Sequence, residues 1–435
     1  MCARRPGGSQ RRVGGVVRRH RGPARCPARL ARGRRGRLRG ARLGRLRVVA
    51  RPGRRGGRPA GRRGTDRAVR PALRRRHGRR LRRGHRGHAG RPSPRSIMST
   101  SPSDTVLVEQ RGRLGVLTLN RPRAINALDL EMVRTAQRAL DRWADDDSVT
   151  TVLVTGAGDR GLCAGGDLQG MYRSAREGTA DSVEFWREEY ALDHAIATYA
   201  KPVVALMDGI VLGGGVGVSA HASHRVVTER TSVGMPETRI GFVPDVGGPW
   251  LLARAPGELG THLALTASNA DGADTIALGM ADVLVPSDRL PALEQALETE
   301  APDDVLARLS VDPPASSLVA AGAWVDAAYA GDDVPAIVAR LRASDHDDAR
   351  QAADDIEARS PTAVTLTLAA LRRAATLPDL RSALDQDLAV STYLLGVPDM
   401  AEGIRAQVID KDRSPRWSPA RLADVDPAPW AHLFA

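Results

Sequence analysis

The segment Gly209–Gly217 reads GIVLGGGVG, and Gly241–Gly248, a little further along, reads GFVPDVGG. The first segment predicts a glycine-rich turn that opens a helix, where backbone N–H groups have no partner inside the helix. Two carboxylates follow it, Glu237 in the sequence Met-Pro-Glu and Asp245 in the second segment. Free N–H donors stabilise an oxyanion that develops on a carbonyl, and nearby acids can activate water or move protons.

A second glycine turn lies upstream, where Cys163–Asp167 reads CAGGD. It would supply the second N–H donor of an oxyanion-binding pair, with Gly166 in one turn and Gly214 in the other. A structural alternative remains open, because glycines also occur wherever a tight turn needs a positive φ.

Charge divides the chain into two parts. Of the 65 basic residues, 35 are Arg within residues 1–97, which hold one of the 50 acidic residues, Asp66. The part that begins at Met98 therefore has 30 basic and 49 acidic side chains, a net charge of −19. The overall charge of +15 gives no reason to assign the body of the protein to nucleic acid.

The Arg-rich segment 1–97 mixes Arg with Gly, Pro and Ala and has no sustained apolar period, so we expect it to be disordered and outside the fold. Three interpretations are open. It is a basic arm that binds nucleic acid, a transit peptide, or a stretch upstream of a true start at Met98. We favour the third, and expect the working enzyme to use neither nucleic acid nor this segment.

The body of the chain contains a single cysteine, Cys163, which we interpret as a small packing residue. A lone thiol forms no intrachain disulfide, which suits a reducing compartment. The body also has no apolar run of about 18 residues, the length that indicates a membrane span. We expect a cytoplasmic enzyme that does not contact a membrane.

Short apolar runs alternate with helical patterns up to about residue 300, which predicts an α/β fold with parallel strand connections. The predicted organisation is a core at 98–300 followed by a helical extension at 301–435. Within these, we expect Asn126 to cap a helix over Leu128–Ala144, and Ala301–Pro314 to be a loop because it is rich in Pro and Asp.

The ordered set of motifs resembles the crotonase (enoyl-CoA hydratase/isomerase) superfamily over almost all of the chain from about Val106 to Pro419. The markers are Leu119–Pro122, Asn126–Leu128, Cys163–Asp167, Lys201-Pro202, Gly209–Gly217, Met235–Thr238, Pro244–Gly248, Ser360–Thr362 and Val408–Asp412. The resemblance implies a ββα spiral core, an acyl-CoA substrate, and no metal or redox cofactor. It also leaves a homo-oligomer possible.

The resemblance implies that the Gly166 and Gly214 N–H groups hold the thioester carbonyl. It implies that Glu237 and Asp245 are catalytic, that Glu189 contacts the substrate, and that Arg121–Ala127 and the loop before Gly166 contact CoA. Each carboxylate has a structural alternative, namely an N-cap or surface group for Glu237, a helix cap for Asp245 and a solvated helix face for Glu189.

Three other polar residues near these motifs are given structural roles. Asp167 is expected to cap the helix after its turn. His221 and His224 fit no catalytic triad, because no nucleophilic Ser or Cys accompanies them.

The residue at position 217 distinguishes between two activities that the resemblance allows. The hydratases of the superfamily carry a second catalytic glutamate at this position, and this chain has glycine. The sequence therefore favours hydrolysis of a short hydroxyacyl-CoA thioester by Glu237 and Asp245. The alternative is a hydratase/isomerase-type reaction.

Overall fold

A computed structural model describes residues 96–97 and 104–434. The predictions of disorder and of a separate role for residues 1–97 concern a segment that lies, apart from residues 96–97, outside the described residues. The described part of the chain mixes helices and strands, as predicted.

The larger of two sheets has seven strands in the order β1-β2-β3-β4-β6-β8-β11. These strands are β1 (Ser96–Ile97), β2 (Val106–Arg111), β3 (Leu114–Leu119), β4 (Thr151–Gly156), β6 (Val203–Met207), β8 (His224–Val227) and β11 (Val283–Leu284). The β2–β3 hairpin is antiparallel, and the pairs from β3 to β11 are parallel. All five residues of β6 are buried, as is typical of a parallel strand covered on both faces.

A smaller sheet has four strands in the order β10-β9-β7-β5. Its members are β5 (Gly161–Cys163), β7 (Ile210–Leu212), β9 (Ser232–Gly234) and β10 (Asn269–Asp271). β5, β7 and β9 are mutually parallel, and β10 is antiparallel to β9. The chain therefore repeats one unit, a strand of the large sheet, a strand of the small sheet and a helical segment.

Helices cover the sheets and make up most of the chain after residue 285. Those of the first part are α1 (Leu130–Ala144), α2 (Leu168–Glu177), α3 (Asp181–Ala197), α4 (Gly214–Ala220), α5 (Gly248–Leu252), α6 (Leu259–Thr266), α7 (Gly272–Ala277) and α8 (Leu290–Leu297). The remainder are α9 (Pro302–Leu309), α10 (Ser317–Tyr329), α11 (Val334–Arg342), α12 (Asp347–Glu357), α13 (Pro361–Ala374), α14 (Leu380–Leu395) and α15 (Pro398–Ile404). A π-helical turn, Arg405–Ile409, continues α15. The helical character predicted for the C-terminal part of the chain is confirmed, and the division at residue 300 stays a prediction.

Asn126 is not the cap of α1, and that prediction was wrong. Asp129 caps the helix through a hydrogen bond from the Met132 N–H, 2.9 Å long. Asn126 is fully buried in a left-handed conformation with φ 55°. Its amide donates to the carbonyls of Ala157, Gly161 and Leu162, and this fixes the loop that leads to the second glycine turn.

The predicted loop Ala301–Pro314 is also wrong, because α9 occupies Pro302–Leu309. Proline is well tolerated at the first helical position, and acids in the first turn are favoured by the helix dipole. Pro302, Asp303 and Asp304 fill those positions, so residues that resemble a loop begin a helix here.

None of the described helices is both long and apolar enough to cross a membrane. Their apolar faces contribute to a core that is continuous from α1 to α15. In α1, for example, Met132, Val133, Ala136 and Leu140 are buried at helical spacing.

Candidate active site

The candidate site lies where the three parallel strands of the small sheet end. The glycine turn at Gly165-Gly166 follows β5, the turn at Gly213-Gly214 follows β7, and Glu237 follows β9. Carboxyl ends of parallel strands share one edge of a sheet, which is the usual place for ligands in such folds. The order of strands in the small sheet therefore brings together segments that are over 70 residues apart in sequence.

The two glycine turns lie against each other. A Cβ added to Gly165 would be 3.3 Å from the Leu212 carbonyl oxygen and 3.8 Å from the Gly214 nitrogen. Gly165 has φ +102° and Gly213 has φ +49°, conformations that side chains with a Cβ rarely adopt. Glycine is thus required both by the backbone conformation and by the close approach of the turns.

An N–H group is available in each turn. Gly214 is the first residue of α4, so its N–H has no partner within the helix. Gly166 lies opposite Leu128 in an isolated β-bridge. The two hydrogen bonds of this bridge use the Gly165 carbonyl and the Asp167 N–H, so the Gly166 N–H takes no part in it. Gly166 and Gly214, which carry these two N–H groups, line the same cavity.

Two carboxyl groups lie on the Gly213-Gly214 turn. A Cβ on Gly213 would be 2.7 Å from Oε1 of Glu237, and one on Gly214 would collide with Oε1 of Glu189. Glu237 begins a 3₁₀ turn, Glu237–Ile240, and Glu189 projects from α3. Both side chains are buried, so the interpretations of Glu237 as a surface group and Glu189 as part of a solvated face are wrong.

Asp245 is held by a hydrogen bond from another side chain. The Tyr190 hydroxyl on α3 donates to Oδ2 of Asp245 at 2.6 Å, and Ser391 Oγ on α14 is 3.0 Å from the same hydroxyl. The N-cap residue of α5 is Gly247, and the Asp245 side chain makes no capping hydrogen bond to this helix. The helix-cap alternative for Asp245 is therefore wrong.

Burial shifts the protonation of this group of carboxyls. Burial, followed by the charge of Asp193, raises the pKa of Glu189 well above its ordinary value. Burial, followed by the charge of Asp245, does the same to the pKa of Glu237. The pKa of Asp245 is raised by burial to about 7, opposed by the Tyr190 hydrogen bond. Asp245 is therefore the carboxyl that most readily carries a negative charge near neutral pH.

All five site residues predicted from the sequence line one cavity of about 180 Å³: Gly166, Glu189, Gly214, Glu237 and Asp245. Apolar side chains, including Leu168, Met171 and Phe242, form much of the remaining wall. Such a cavity combines a mostly apolar wall with a few convergent polar groups, as is typical of small-molecule sites.

The residues given structural roles behave accordingly. Asp167 caps α2 by accepting from the Gln169 N–H. Cys163 is buried, and burial raises the pKa of its thiol to about 12. The His221 ring contacts the Val246 carbonyl at 2.8 Å, and burial lowers its pKa to about 4. His224 contacts Ser223 and Asp303, away from the cavity.

The space beside Gly217 is filled by another acid. A Cβ on Gly217 would be 2.7 and 2.8 Å from the two carboxyl oxygens of Asp193, a fully buried residue of α3. Asp193 lies one helical turn after Glu189, and burial together with the charge of Asp245 raises its pKa well above the ordinary value. Neither Gly217 nor Asp193 lines the cavity.

Sequence reasoning missed five polar residues at or behind the cavity: Tyr190, Asp193, Asp387, Ser391 and Gln407. Asp193 had one usable signal, since it stands four residues after Glu189 on the same helix face. Asp387 and Ser391 also stand four residues apart, on α14, but nothing local connects them to the motifs upstream. Gln407 belongs to the π-helical turn, a feature that is common at functional sites.

Among residues 104–434, no group of three or more His, Cys, Asp or Glu side chains could hold a metal ion. Of the cavity carboxyls in the described part of the chain, Asp245 accepts a hydrogen bond from Tyr190, whereas Oε1 of Glu189 and Oε2 of Glu237 have no hydrogen-bond partner.

Comparison with known proteins extends over both the α/β core and the helical extension. A family model described as "Enoyl-CoA hydratase/isomerase" matches residues 114–434. The mitochondrial 3-hydroxyisobutyryl-CoA hydrolase of Danio rerio is 38% identical over 340 residues, which cover 76% of this chain and 89% of that protein.

Two solved structures are also similar to this chain. A carnitinyl-CoA dehydratase from Mycobacterium thermoresistibile is 49% identical, with a TM-score of 0.74 over 77% of this chain and 97% of the other. An enoyl-CoA hydratase from Rhodobacter sphaeroides 2.4.1 is 40% identical, with a TM-score of 0.73 over 76% of this chain and 97% of the other.

Proposed function

Because this chain belongs to the enoyl-CoA hydratase/isomerase family, we propose that it hydrolyses a short-chain hydroxyacyl-CoA thioester, with 3-hydroxyisobutyryl-CoA as the substrate. One observation carries the proposal: two backbone N–H donors and the carboxyls of Glu237 and Asp245 line the same cavity. Such a reaction would serve valine catabolism. The reaction needs water and acid–base groups, so no metal or redox cofactor is part of it.

The two donors would act on the thioester carbonyl. When water adds to the carbonyl carbon, the oxygen becomes an oxyanion between the Gly166 and Gly214 N–H groups. Loss of one such donor costs on the order of 10²–10³ in rate in other enzymes. The glycine requirement at Gly213 and Gly165 then has a functional meaning, since it keeps both donors pointed at one place.

The carboxyl pair would supply the base and the acid. Proton transfer from Glu237 to Asp245 leaves Glu237 as a carboxylate, which either takes a proton from water or attacks the carbonyl itself to form an anhydride. When the C–S bond breaks, Asp245 returns its proton to the departing sulfur, so that CoA leaves as a thiol. A base and an acid that line the same cavity suit such a reaction.

Isotope labelling separates the two roles of Glu237. In the anhydride route, water can attack the glutamyl carbon, so turnover in H₂¹⁸O leaves ¹⁸O in the Glu237 side chain. In the general-base route the label enters only the product acid. Mass spectrometry of the peptide that contains Glu237, after a single turnover, reads out the difference.

Hydration of an enoyl-CoA is the second candidate, favoured by the names of the two solved structures and by the acid beside Gly217. Adding water across a double bond needs two carboxyls around one water molecule. Asp193 is fully buried and does not line the cavity, so it would not reach a bound substrate without rearrangement. The hydrolase proposal needs no such movement.

A pair of assays tests the proposal. With 3-hydroxyisobutyryl-CoA, a thiol-reactive chromogenic reagent should report release of CoA. With crotonyl-CoA, the absorbance of the conjugated thioester should persist at matched enzyme concentration. Rapid hydration of crotonyl-CoA without thiol release from the hydroxyacyl substrate would overturn the proposal in favour of the second candidate.

A further inference from the structure

The hydrogen bond between Tyr190 and Asp245 is part of a longer chain. A tyrosine hydroxyl has a single proton, and Tyr190 donates it to Oδ2 of Asp245 at 2.6 Å. Ser391 Oγ, 3.0 Å from the same hydroxyl, must then donate to the tyrosine oxygen. Hydrogen bonds connected in this way polarise and strengthen one another. All three side chains are buried, so the chain is shielded from water.

Helix α14, which carries Ser391, also makes a hydrogen bond to the loop that carries Asp245. Oδ2 of Asp387, one turn before Ser391 on α14, accepts from the Gly247 N–H at 2.8 Å. Val246, which lies between Asp245 and Gly247, has φ 51°, a strained left-handed conformation for a β-branched residue. A strained loop persists only where its surroundings hold it, and here α14 supplies one of those contacts.

We infer that Tyr190 and Ser391 are positioning residues of the proposed reaction, through which helix α14 fixes the orientation and the protonation of Asp245. The inference rests on the proposed function and adds to it, because neither side chain lines the cavity. Both act through Asp245. On this view the helical extension completes the active site in addition to covering the core.

The groups around Asp245 determine whether its pKa rises or falls when the Tyr190 hydroxyl is removed. They are Glu189, Tyr190 and Asp193 on α3, Glu237 on the 3₁₀ turn, Asp387 on α14 and His221 at the end of α4. Burial raises the pKa of Asp245, and of these neighbours only Tyr190 opposes that by a hydrogen bond to the charged form. Removing the hydroxyl should therefore raise the pKa of Asp245 further.

The test uses Tyr190→Phe and Ser391→Ala in the full-length chain. Tyr329→Phe is the matched control, because Tyr329 is also buried and its hydroxyl bonds to His262 at 2.8 Å, away from the cavity. Aspartate labelled with ¹³C at the side-chain carboxyl gives an NMR titration of Asp245, assigned by the signal that Asp245→Asn removes. The pH profile of thiol release gives a second, independent readout.

We expect Tyr190→Phe to move the titration of Asp245 and the rising limb of the pH profile upward by about one unit. Well below the midpoint, that corresponds to an activity about tenfold lower than wild type. Ser391→Ala should shift both in the same direction by less, and Tyr329→Phe should shift neither. If Tyr190→Phe does not fold, Ser391→Ala carries the same test.

An unchanged midpoint in Tyr190→Phe or Ser391→Ala, with or without a uniform loss of rate, would leave only a structural role and overturn the inference. The proposed function fails in a different way. A wild-type enzyme that releases no thiol from any hydroxyacyl-CoA refutes it, while the NMR titration still decides whether Tyr190 and Ser391 control Asp245.

Discussion

Replacing Glu237 with glutamine separates the proposed chemistry from the stability of the fold. Glutamine has the shape of glutamic acid, and burial raises the pKa of the Glu237 carboxyl well above its ordinary value, which favours its neutral form. The substitution replaces this carboxyl with a neutral amide of the same shape, so the free energy of unfolding should change by less than about 1 kcal/mol. Activity should respond differently, because an amide can neither accept the proton of water nor attack the carbonyl.

General acid–base groups contribute about 10²–10⁴ in rate, so kcat for thiol release by Glu237→Gln should fall by that factor, about 2.7–5.4 kcal/mol in activation free energy. Thermal unfolding, followed by circular dichroism, checks the fold of the same sample. Glu294→Gln is the control, since Glu294 is a half-buried acid with a raised pKa that pairs with Arg111 and does not line the cavity. Near-normal hydrolysis by a folded Glu237→Gln protein would remove Glu237 from the mechanism.

Three further predictions concern stability. Asp193 has a raised pKa in the folded protein, so its contribution to stability is present at low pH and is lost as the pH rises through that pKa. In chemical denaturation from pH 4 to 8, the free energy of unfolding of Asp193→Asn should therefore decline less with pH than that of the wild type. Gly217→Ala should cost about 1–3 kcal/mol, because its Cβ would meet Asp193 and Val246 at 2.7–2.8 Å, whereas Gly322→Ala, with nothing within 4 Å, should be neutral or stabilising. Asn126→Ala should lower the free energy of unfolding by about 2–5 kcal/mol, because it leaves two buried carbonyls and one half-buried carbonyl without their donor. An unchanged unfolding midpoint in Asn126→Ala or Gly217→Ala, or an unchanged pH dependence in Asp193→Asn, would contradict these expectations.

The fold could be predicted where burial alone determines the pattern. The alternation of short apolar runs with helical patterns predicts the α/β fold, and one such run, Val203–Met207, forms the fully buried strand β6. The prediction failed where one residue type serves two structures. Proline and aspartate occur in loops and in the first turn of helices, so α9 was mistaken for a loop. Asn126 looked like a cap, but its left-handed conformation and buried amide bonds belong to a loop that the long-range fold creates.

The candidate site could be predicted where its residues belong to short motifs, as Gly166, Gly214, Glu237 and Asp245 do. Three of those motifs follow the ends of β5, β7 and β9, and the motif of Asp245 leads into α5. Tyr190 and Ser391 are 201 residues apart in sequence and meet only because α14 packs on α3. No local pattern reports such a contact, so the residues that hold Asp245 were found only in the structure.

Glu189 and Asp193 explain why the acids of α3 were difficult to interpret. Acids four residues apart on a helix ordinarily indicate a solvated face, because burying a charge is costly. Here both are buried, and the cost is avoided because burial raises the pKa of each and favours the neutral form. A helix face that carries acids into the interior conflicts with local preference, and such conflicts concentrate at functional sites. Gly217 fits the same account: the space where a side chain would project is already occupied by the carboxyl of Asp193, so glycine there belongs to the packing of this acid cluster as well as to the choice of reaction.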